Sequence, residues 1–410
     1  MTEPAIGDAF DSMWAALAPV GREPSSGGYR RFAWTAADAQ AREWFTSEAQ
    51  ARGLDVQRDR NGNLWAWWLP PGGRDHDAFV TGSHLDSVPD GGAFDGPLGV
   101  VSALCAIDLL RARGIKGRKP VAVVVFADEE GARFGVACAG SRLLTGVLSP
   151  ARALALTDAD GVSLDDAMRK AGIDTAALGR DDELLRRIGV FVELHVEQGR
   201  SLVDSESAIG VATGIWPHGR WRFSFTGRAD HAGTTQLDDR RDPMLCFGEA
   251  VLAARVQAEQ FGGLATFGRV IAEPNATNGI ASKVTAWLDA RAPDQRTLDR
   301  IVIGVAERAG RRASMEQVES AVGNESVTPA VEFSPKVRLM LQDSLGGGVP
   351  ELATGAGHDA GVLAAEVPTG MLFVRNPTGI SHAPDEFAER ADCLAGVDAL
   401  ADVMADWICA

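Results

Sequence analysis

The chain has 410 residues, of which 45% are hydrophobic and 23% charged, so it can bury an ordinary core without a disulfide framework. Its formal net charge of −16 and its lack of a large Lys/Arg cluster argue against a nucleic-acid partner. No apolar run reaches the length of a membrane-spanning helix, and the N-terminus does not resemble a signal peptide. The five cysteines are scattered without a CxxC spacing. We therefore expect a cytoplasmic protein with reduced thiols and without a membrane partner.

The first part of the chain predicts helices that alternate with buried strands. Residues 37–52 have helical spacing, and residues 96–114 repeat apolar side chains at intervals of three and four. The run VAVVVF at 121–126 is typical of a strand buried on both faces, and VFVELHV at 190–196 has the same character. Strands and helices in this order predict an α/β fold with a mainly parallel sheet.

The character of the sequence changes near residue 210. Two segments then alternate apolar and polar side chains, as half-buried strands do, and they combine with helical segments into a β-α-β-β-α-like set. The set occupies residues 219–226, 243–258, 264–272, 283–290 and 296–312. It predicts a smaller inserted α+β domain at 212–327, with an antiparallel sheet open on one face. The main domain is then expected at 1–211 and 328–410.

The segment GSHLDSVPDGGAFDGPLG at 82–99 follows an apolar strand and carries candidate metal ligands. His84 and Asp86 are two residues apart, so both project to one side of an extended strand end. One of them can bind a metal while the other fixes the imidazole tautomer. Asp95 follows in a glycine-rich loop, where a carboxylate can approach an ion closely. The alternative is a polar loop that caps the next helix.

The segment VVVFADEEGARFG at 123–135 ends a buried strand with three consecutive acids. Carboxylates in such a place need cations or water, and open α/β sheets bind ligands at the carboxyl ends of their strands. Glu129 and Glu130 point in different directions, so one can ligate a metal while the other acts as a base. An acidic surface turn is the alternative for this segment.

Two further segments each offer a histidine. FVELHVEQG at 191–199 places His195 at the end of a buried strand, where a lone histidine would belong to the core. GISHAPDEF at 379–387 places His382 before a helix, where it could equally be a loop residue. The four segments together supply three histidines and at least two acids. That set suits two divalent ions that share a bridging carboxylate.

Six motifs resemble those of a known family and occur in the same order. They are GSHLDSVPDGGAFDGPLGV, FADEEGARFG, ELHVEQG, GRADHAGTT, GAGHDA and GISHAPDEF. The family comprises N-carbamoyl-L-amino-acid hydrolases, allantoate amidohydrolases and β-ureidopropionases, within the aminoacylase-like dinuclear metallohydrolases. The resemblance implies a catalytic domain interrupted by a lid and dimerisation domain, and a homodimer. It also implies two divalent metal ions, with zinc expected first and manganese, cobalt or nickel as alternatives.

Carried over to this sequence, the resemblance gives roles to individual residues. Glu129 becomes the general base, and His231 becomes a catalytic donor to the developing oxyanion. Asp95 bridges the two ions, and Asp86 orients His84. The implied metal ligands are His84, Asp95, Glu130, His195 and His382. The implied substrate contacts are Gln198, Asn278 and Arg291.

The resemblance also implies a reaction. It indicates an amidohydrolase that cleaves a C–N bond of a ureido or N-carbamoyl group in a small carboxylate, releasing ammonia and carbon dioxide. Arg291 is the expected carboxylate clamp, because a planar guanidinium binds bidentately. The segments GIWPHGRWRF and FVRNPTGISHAPDEF favour allantoate over an N-carbamoyl-L-amino acid, although Asp230, Gln236 and residues 278–282 depart from the usual pattern around the pocket.

The alternative is a dipeptidase or N-acyl-amino-acid hydrolase with the same metal centre. His195 argues against it, because peptidase-like members of the wider group tend to place an acid at that position. A catalytically silent relative is disfavoured, since every ligand position and the base are present.

Overall fold

The structure is a computed structural model that describes residues 3–70 and 75–410. The chain divides into two compact units. Unit 1 comprises Met1–Thr213 and Glu332–Ala410, and unit 2 comprises Gly214–Val331. None of the described helices is both long and apolar enough to cross a lipid bilayer. The fold class expected from the sequence is confirmed, since one sheet is parallel at its centre and a second sheet is antiparallel.

The strands in the described part of the chain are β1 (Asp55–Arg58), β2 (Leu64–Trp68), β3 (Ala78–His84), β4 (Val121–Phe126), β5 (Ile188–Val196), β6 (Ile209–Ile215), β7 (His218–Thr226), β8 (Asp230–His231), β9 (Leu264–Glu273), β10 (Gly279–Ile280), β11 (Lys283–Arg291), β12 (Glu319–Thr328), β13 (Val331–Glu332), β14 (Glu351–Thr354) and β15 (Thr369–Val374). The α-helices in the same ranges are α1 (Glu3–Leu17), α2 (Ala36–Ala51), α3 (Pro97–Ala112), α4 (Ala139–Thr145), α5 (Pro150–Leu154), α6 (Leu164–Lys170), α7 (Asp182–Arg187), α8 (Ser201–Asp204), α9 (Pro243–Phe261), α10 (Gln295–Glu316), α11 (Pro335–Ser344), α12 (Asp359–Leu363) and α13 (Arg390–Cys409). Each helix and strand predicted above corresponds to one of these elements.

A nine-stranded sheet forms the core of unit 1, with the order β1-β2-β4-β3-β5-β15-β6-β13, and β14 pairs with β6. The central strands β4, β3, β5 and β15 run parallel, and antiparallel pairs flank them. β4 and β15 are buried at every position, as their continuous apolar sequences require. α3 and α13 pack against each other and against these strands. The carboxyl ends of four parallel strands therefore meet at one edge of the sheet.

Unit 2 has a four-stranded antiparallel sheet with the order β12-β7-β11-β9. α9 and α10 pack on one face of it and bury Phe223, Phe225 and Leu288 in the core of this unit. Alternate residues of β7 and β11 are buried, which matches their apolar–polar alternation. The β-α-β-β-α-like set predicted from the sequence omitted β12. This strand is exposed at every position except its last, so it carries no alternating pattern.

Candidate metal centre

Four of the expected metal ligands lie at or beyond the ends of parallel strands in unit 1. His84 is the last residue of β3, and His195 is the penultimate residue of β5. Glu130 lies in the turn after β4, and His382 lies in the loop after β15. Because these strands are neighbours in the sheet and run parallel, their carboxyl ends bring the four side chains to one edge.

Asp95 lies at the centre of this group, just before α3. Its Oδ1 atom is 3.3 Å from His84 Nε2 and 3.2 Å from His195 Nε2. Its Oδ2 atom is 3.4 Å from His382 Nε2, which is 3.5 Å from Glu130 Oε2. Asp95 belongs to two groups whose ligand atoms all lie within 4.8 Å of one another, the first with His84 and His195 and the second with Glu130 and His382. A carboxylate with one oxygen in each group has the arrangement that a bridge between two ions requires.

Each of the two buried histidines places its Nδ1 atom beside a backbone carbonyl oxygen. His84 Nδ1 lies 3.1 Å from the carbonyl oxygen of Asp86, and His195 Nδ1 lies 2.9 Å from that of Val196. A carbonyl oxygen only accepts, so we assign the proton to each Nδ1 and a lone pair to each Nε2. Both Nε2 atoms are buried without a hydrogen bond. Lone pairs that face an oxygen of Asp95 repel it unless a cation lies between them, so this donor set fits a divalent metal.

Opposing charges are concentrated at this edge of the sheet. Burial opposes ionisation of Asp95, but the electrostatic influence of His195 holds the pKa of its carboxyl well below the usual value. Burial, together with the charge of Asp95, raises the pKa of the Glu130 carboxyl to about 7. Burial also raises the pKa of the Glu129 carboxyl well above that of a free glutamate. Cations held here would offset the mutual repulsion of these carboxylates.

Asp86 and Cys138 orient the turn that carries the two glutamates. The carboxylate oxygens of Asp86 accept hydrogen bonds from the backbone N–H groups of Glu129 at 3.2 Å and Glu130 at 3.0 Å. Asp86 Oδ1 is also 3.6 Å from His84 Nδ1. The Cys138 thiol donates to Glu129 Oε1 at 3.3 Å, while Glu129 Oε2 lies 3.7 Å from His84 Nε2. Glu129 therefore directs one carboxylate oxygen toward the candidate metal ligands.

Gln198, an expected substrate contact, lies beside the central carboxylate. Its Nε2 donates to Asp95 Oδ2 at 2.9 Å and to Ser381 Oγ at 3.1 Å. Its Oε1 atom is buried without a hydrogen bond. Gln198 is thus placed at the candidate centre through Asp95.

Two buried charged residues that support this site were not identified from the sequence. Arg31 is 1% exposed and donates from Nε to the carbonyl oxygen of Leu85 at 2.8 Å, next to His84. Glu386 is buried and accepts a hydrogen bond from the backbone N–H of Asp95 at 2.9 Å. Glu386 belongs to the motif GISHAPDEF. Because this segment is polar, nothing in the neighbouring sequence indicates that the Glu386 side chain is buried.

In unit 2, the structure brings His231 and Asn278 together and leaves Arg291 apart from them. β8, which ends at His231, pairs with β10, which begins directly after Asn278. β11 is nine residues long, and Arg291 is at its far end. At about 3.4 Å per residue, that end lies about 27 Å from the end next to β10. Arg291 Nε contacts Asp289 Oδ1 at 2.9 Å.

Comparison with known proteins gives the family of this chain. The sequence profile described as peptidase family M20/M25/M40 matches residues 80–406. N-carbamoyl-L-amino acid amidohydrolase from Geobacillus stearothermophilus is 36% identical over 390 residues, with 94% of each chain covered. Allantoate amidohydrolase from Bacillus subtilis (strain 168) is 30% identical over 392 residues, with 93% of each chain covered.

A solved structure extends the similarity to the fold. The crystal structure of an amidase of the hydantoinase/carbamoylase family from Burkholderia multivorans has a TM-score of 0.87 and 31% identity, with 98% of both chains covered. Sequence relatives and fold therefore agree with the resemblance carried by the six motifs. The chain belongs to peptidase family M20/M25/M40.

Proposed function

We propose that this protein is a dinuclear metal-dependent amidohydrolase. It cleaves a C–N bond of a ureido or N-carbamoyl group in a small carboxylate, with allantoate and N-carbamoyl-L-amino acids as the leading substrates. The observation that carries the proposal is that the buried Nε2 atoms of His84 and His195 face Asp95 Oδ1 without a hydrogen bond. The free cysteines support a reducing, cytoplasmic compartment.

The donor set supports two metal positions. His84, Asp95 and His195 would hold one ion, and Asp95, Glu130 and His382 would hold the other. Divalent ions in such sites lower the pKa of water and polarise a carbonyl oxygen. Zinc is the first choice for imidazole and carboxylate ligands, and manganese, cobalt and nickel fit similar sets.

Glu129 is the proposed general base. The Cys138 thiol donates a hydrogen bond to Oε1 and not to Oε2. Oε2 can therefore take a proton from an attacking water. The raised pKa of its carboxyl supports this role, because a carboxylate whose pKa is raised by burial accepts a proton more readily than a free glutamate does. Glu129 would then deliver the proton to the leaving nitrogen. Ammonia leaves, and the remaining carbamate loses carbon dioxide.

His231 is the proposed donor to the oxyanion. The backbone N–H of Gly233 donates to His231 Nδ1 at 3.0 Å. That nitrogen therefore supplies a lone pair, and the proton of the neutral ring is on Nε2. An Nε2–H group can donate a hydrogen bond to the oxygen on which negative charge develops. Asn278 lies beside it for substrate contact, and Arg291 would bind the substrate carboxylate.

The distance between His231 and Arg291 supports a homodimer. His231 pairs with β10, and Arg291 is at the end of β11 that lies about 27 Å from the end next to β10, so we do not expect one small substrate to contact both residues on the same chain. Two copies related by a twofold axis could supply His231 from one subunit and Arg291 from the other. α9 offers an apolar surface for such contact, because Leu245, Leu252 and Val256 are exposed along one side of it. β9 is also at the edge of its sheet, and no described strand pairs with its outer side.

Ammonia release tests the proposed reaction. Protein stripped by a chelator and reloaded with Zn²⁺ or Mn²⁺ is incubated with allantoate, several N-carbamoyl-L-amino acids, N-carbamoyl-β-alanine and a simple dipeptide. We expect the reloaded protein to release ammonia from at least one ureido substrate and the stripped protein to release none. Hydrolysis of the dipeptide alone would contradict the proposed chemistry while leaving the metal site in place.

A further inference from the structure

One buried side chain ties the loop that carries His382 to the loop that carries Asp95. Glu386 is 4% exposed, and its Oε1 atom accepts hydrogen bonds from the backbone N–H groups of Phe94 and Asp95, each at 2.9 Å. These partners are 292 and 291 residues away in the sequence. The contact therefore joins two loops that are far apart in the sequence.

The absence of a side chain at Gly92 leaves room for the Glu386 carboxylate. A Cβ atom at Gly92 would collide with Glu386 Oε1, so a side chain at that position would displace the carboxylate. The next residue, Phe387, packs its ring edge-to-face on Phe94, with ring centroids 6.0 Å apart. Consecutive residues of one loop thus bind the other loop, the first through hydrogen bonds and the second through ring packing.

His382 depends on such support more than the other two histidines of the site do. Its backbone φ is 57°, a left-handed conformation that residues other than glycine adopt at an energetic cost. Asn376 shapes the start of the loop, since its Oδ1 accepts two backbone N–H groups at 3.0 Å each. Glu386 holds the other end. His84 and His195 instead belong to strands that the sheet ladder fixes.

We propose that Glu386 is a positioning residue that sets the distance between His382 and Asp95 and thereby the affinity of one of the two metal positions. The inference rests on the proposed dinuclear site. It concerns the group formed by Asp95, Glu130 and His382, because only this group combines a ligand from each of the two loops that Glu386 joins. The other group keeps both of its histidines on strands.

Hydrogen-bond acceptance, rather than charge, is what the two N–H groups require from Glu386. The amide oxygen of glutamine can take the place of Oε1 and accept both hydrogen bonds. The second carboxylate oxygen, Oε2, makes no hydrogen bond that an amide nitrogen would break. Alanine leaves two N–H groups without this acceptor. Glu386→Gln is therefore expected to preserve the site, and Glu386→Ala is expected to loosen it.

Metal titration separates the two positions. Chelator-treated wild-type protein, Glu386→Ala, Glu386→Gln and Asp385→Ala are titrated with Co²⁺, and binding is followed by calorimetry and by the visible absorption of bound cobalt. Asp385 is the matched control, because it is an exposed carboxylate in the same loop. We expect Glu386→Ala to bind one ion as the wild type does and the second about 10- to 100-fold more weakly. Glu386→Gln and Asp385→Ala should match the wild type.

Wild-type affinity for both ions in Glu386→Ala would overturn the inference. So would equal weakening of both positions, or a Glu386→Gln protein that behaves like the alanine variant. If Glu386→Ala does not fold, Glu386→Asp replaces it, because its carboxylate stops one methylene short of the N–H groups and should weaken the same single position. A wild-type protein that binds no Co²⁺ refutes the dinuclear site itself, whereas the other contrary results refute only the role of Glu386.

Discussion

Gly96→Ala perturbs the candidate metal centre through a single atom. Gly96 precedes α3 and has φ 80° and ψ −57°. A Cβ atom there would lie 2.5 Å from His84 Cε1 and Nδ1 and 2.7 Å from its Cγ. His84 is 1% exposed, so its ring cannot turn into solvent. It must move by about 1 Å to regain an ordinary van der Waals separation.

Two costs follow from this substitution. The backbone strain of a non-glycine residue in such a conformation is about 1–3 kcal/mol. Misplacing a group of the site by about 1 Å costs about 100-fold in rate, and disturbing a ligand costs about 10- to 100-fold in metal affinity. Gly114→Ala is the control, because Gly114 follows the other end of α3 with φ 69° and has no atom within 4 Å of an added Cβ. Gly114→Ala therefore has only the backbone strain, about 1 kcal/mol, and no steric clash.

The assay combines kcat/KM for ammonia release, bound metal per chain and Tm. We expect Gly96→Ala to lose about 100-fold in kcat/KM and to bind the His84 metal more weakly. Gly114→Ala should keep activity and metal while its Tm falls by a few degrees. A Gly96→Ala protein with wild-type rate and metal affinity would refute the argument that the position of His84 controls the site.

Three further predictions test the base and the shared site. Glu129→Gln should keep both ions, because Glu129 is outside both ligand groups, while kcat for ammonia release falls about 100- to 10,000-fold; a near-normal rate would rule out this base. Mixing His231→Ala with Arg291→Ala, each inactive alone, should restore about a quarter of wild-type activity, since half of the dimers are mixed and each has one intact site. No recovery would exclude sites shared between subunits. Leu252→Glu on α9 should yield monomers in light scattering, whereas Leu339→Glu, equally exposed on α11, should not; a dimer that survives Leu252→Glu contradicts the proposed surface.

The sequence was sufficient for the fold wherever burial follows a simple pattern. The β-branched run at 121–126 predicted β4, which is buried at all of its positions. Alternation predicted β7 and β11, whose inward residues pack on α9 and α10. β12 has no such pattern, because it is exposed on both faces and is a strand through its pairing with β7. Local sequence cannot show a strand that only a partner strand defines.

The sequence was enough to expect the candidate ligands close together, but it did not indicate the buried residues that support them. His84 and His195 lie at strand ends, and the rule that parallel strands deliver their carboxyl ends to one edge was enough to expect them together. Arg31 and Glu386 instead act through contacts with residues 54 and 291 positions away. These partners come together only in the folded chain. No spacing in the sequence therefore indicates that the two charged side chains are buried.

Metal stoichiometry measured against activity is the most direct test of the proposed centre. Chelator-treated protein is titrated with Zn²⁺, and bound ions and ammonia release from its best ureido substrate are measured in the same samples. The dinuclear site predicts two ions per chain and an activity that rises as the positions fill. A protein that binds no ion, or one that releases ammonia at full rate after complete chelation, would contradict a metal-dependent amidohydrolase.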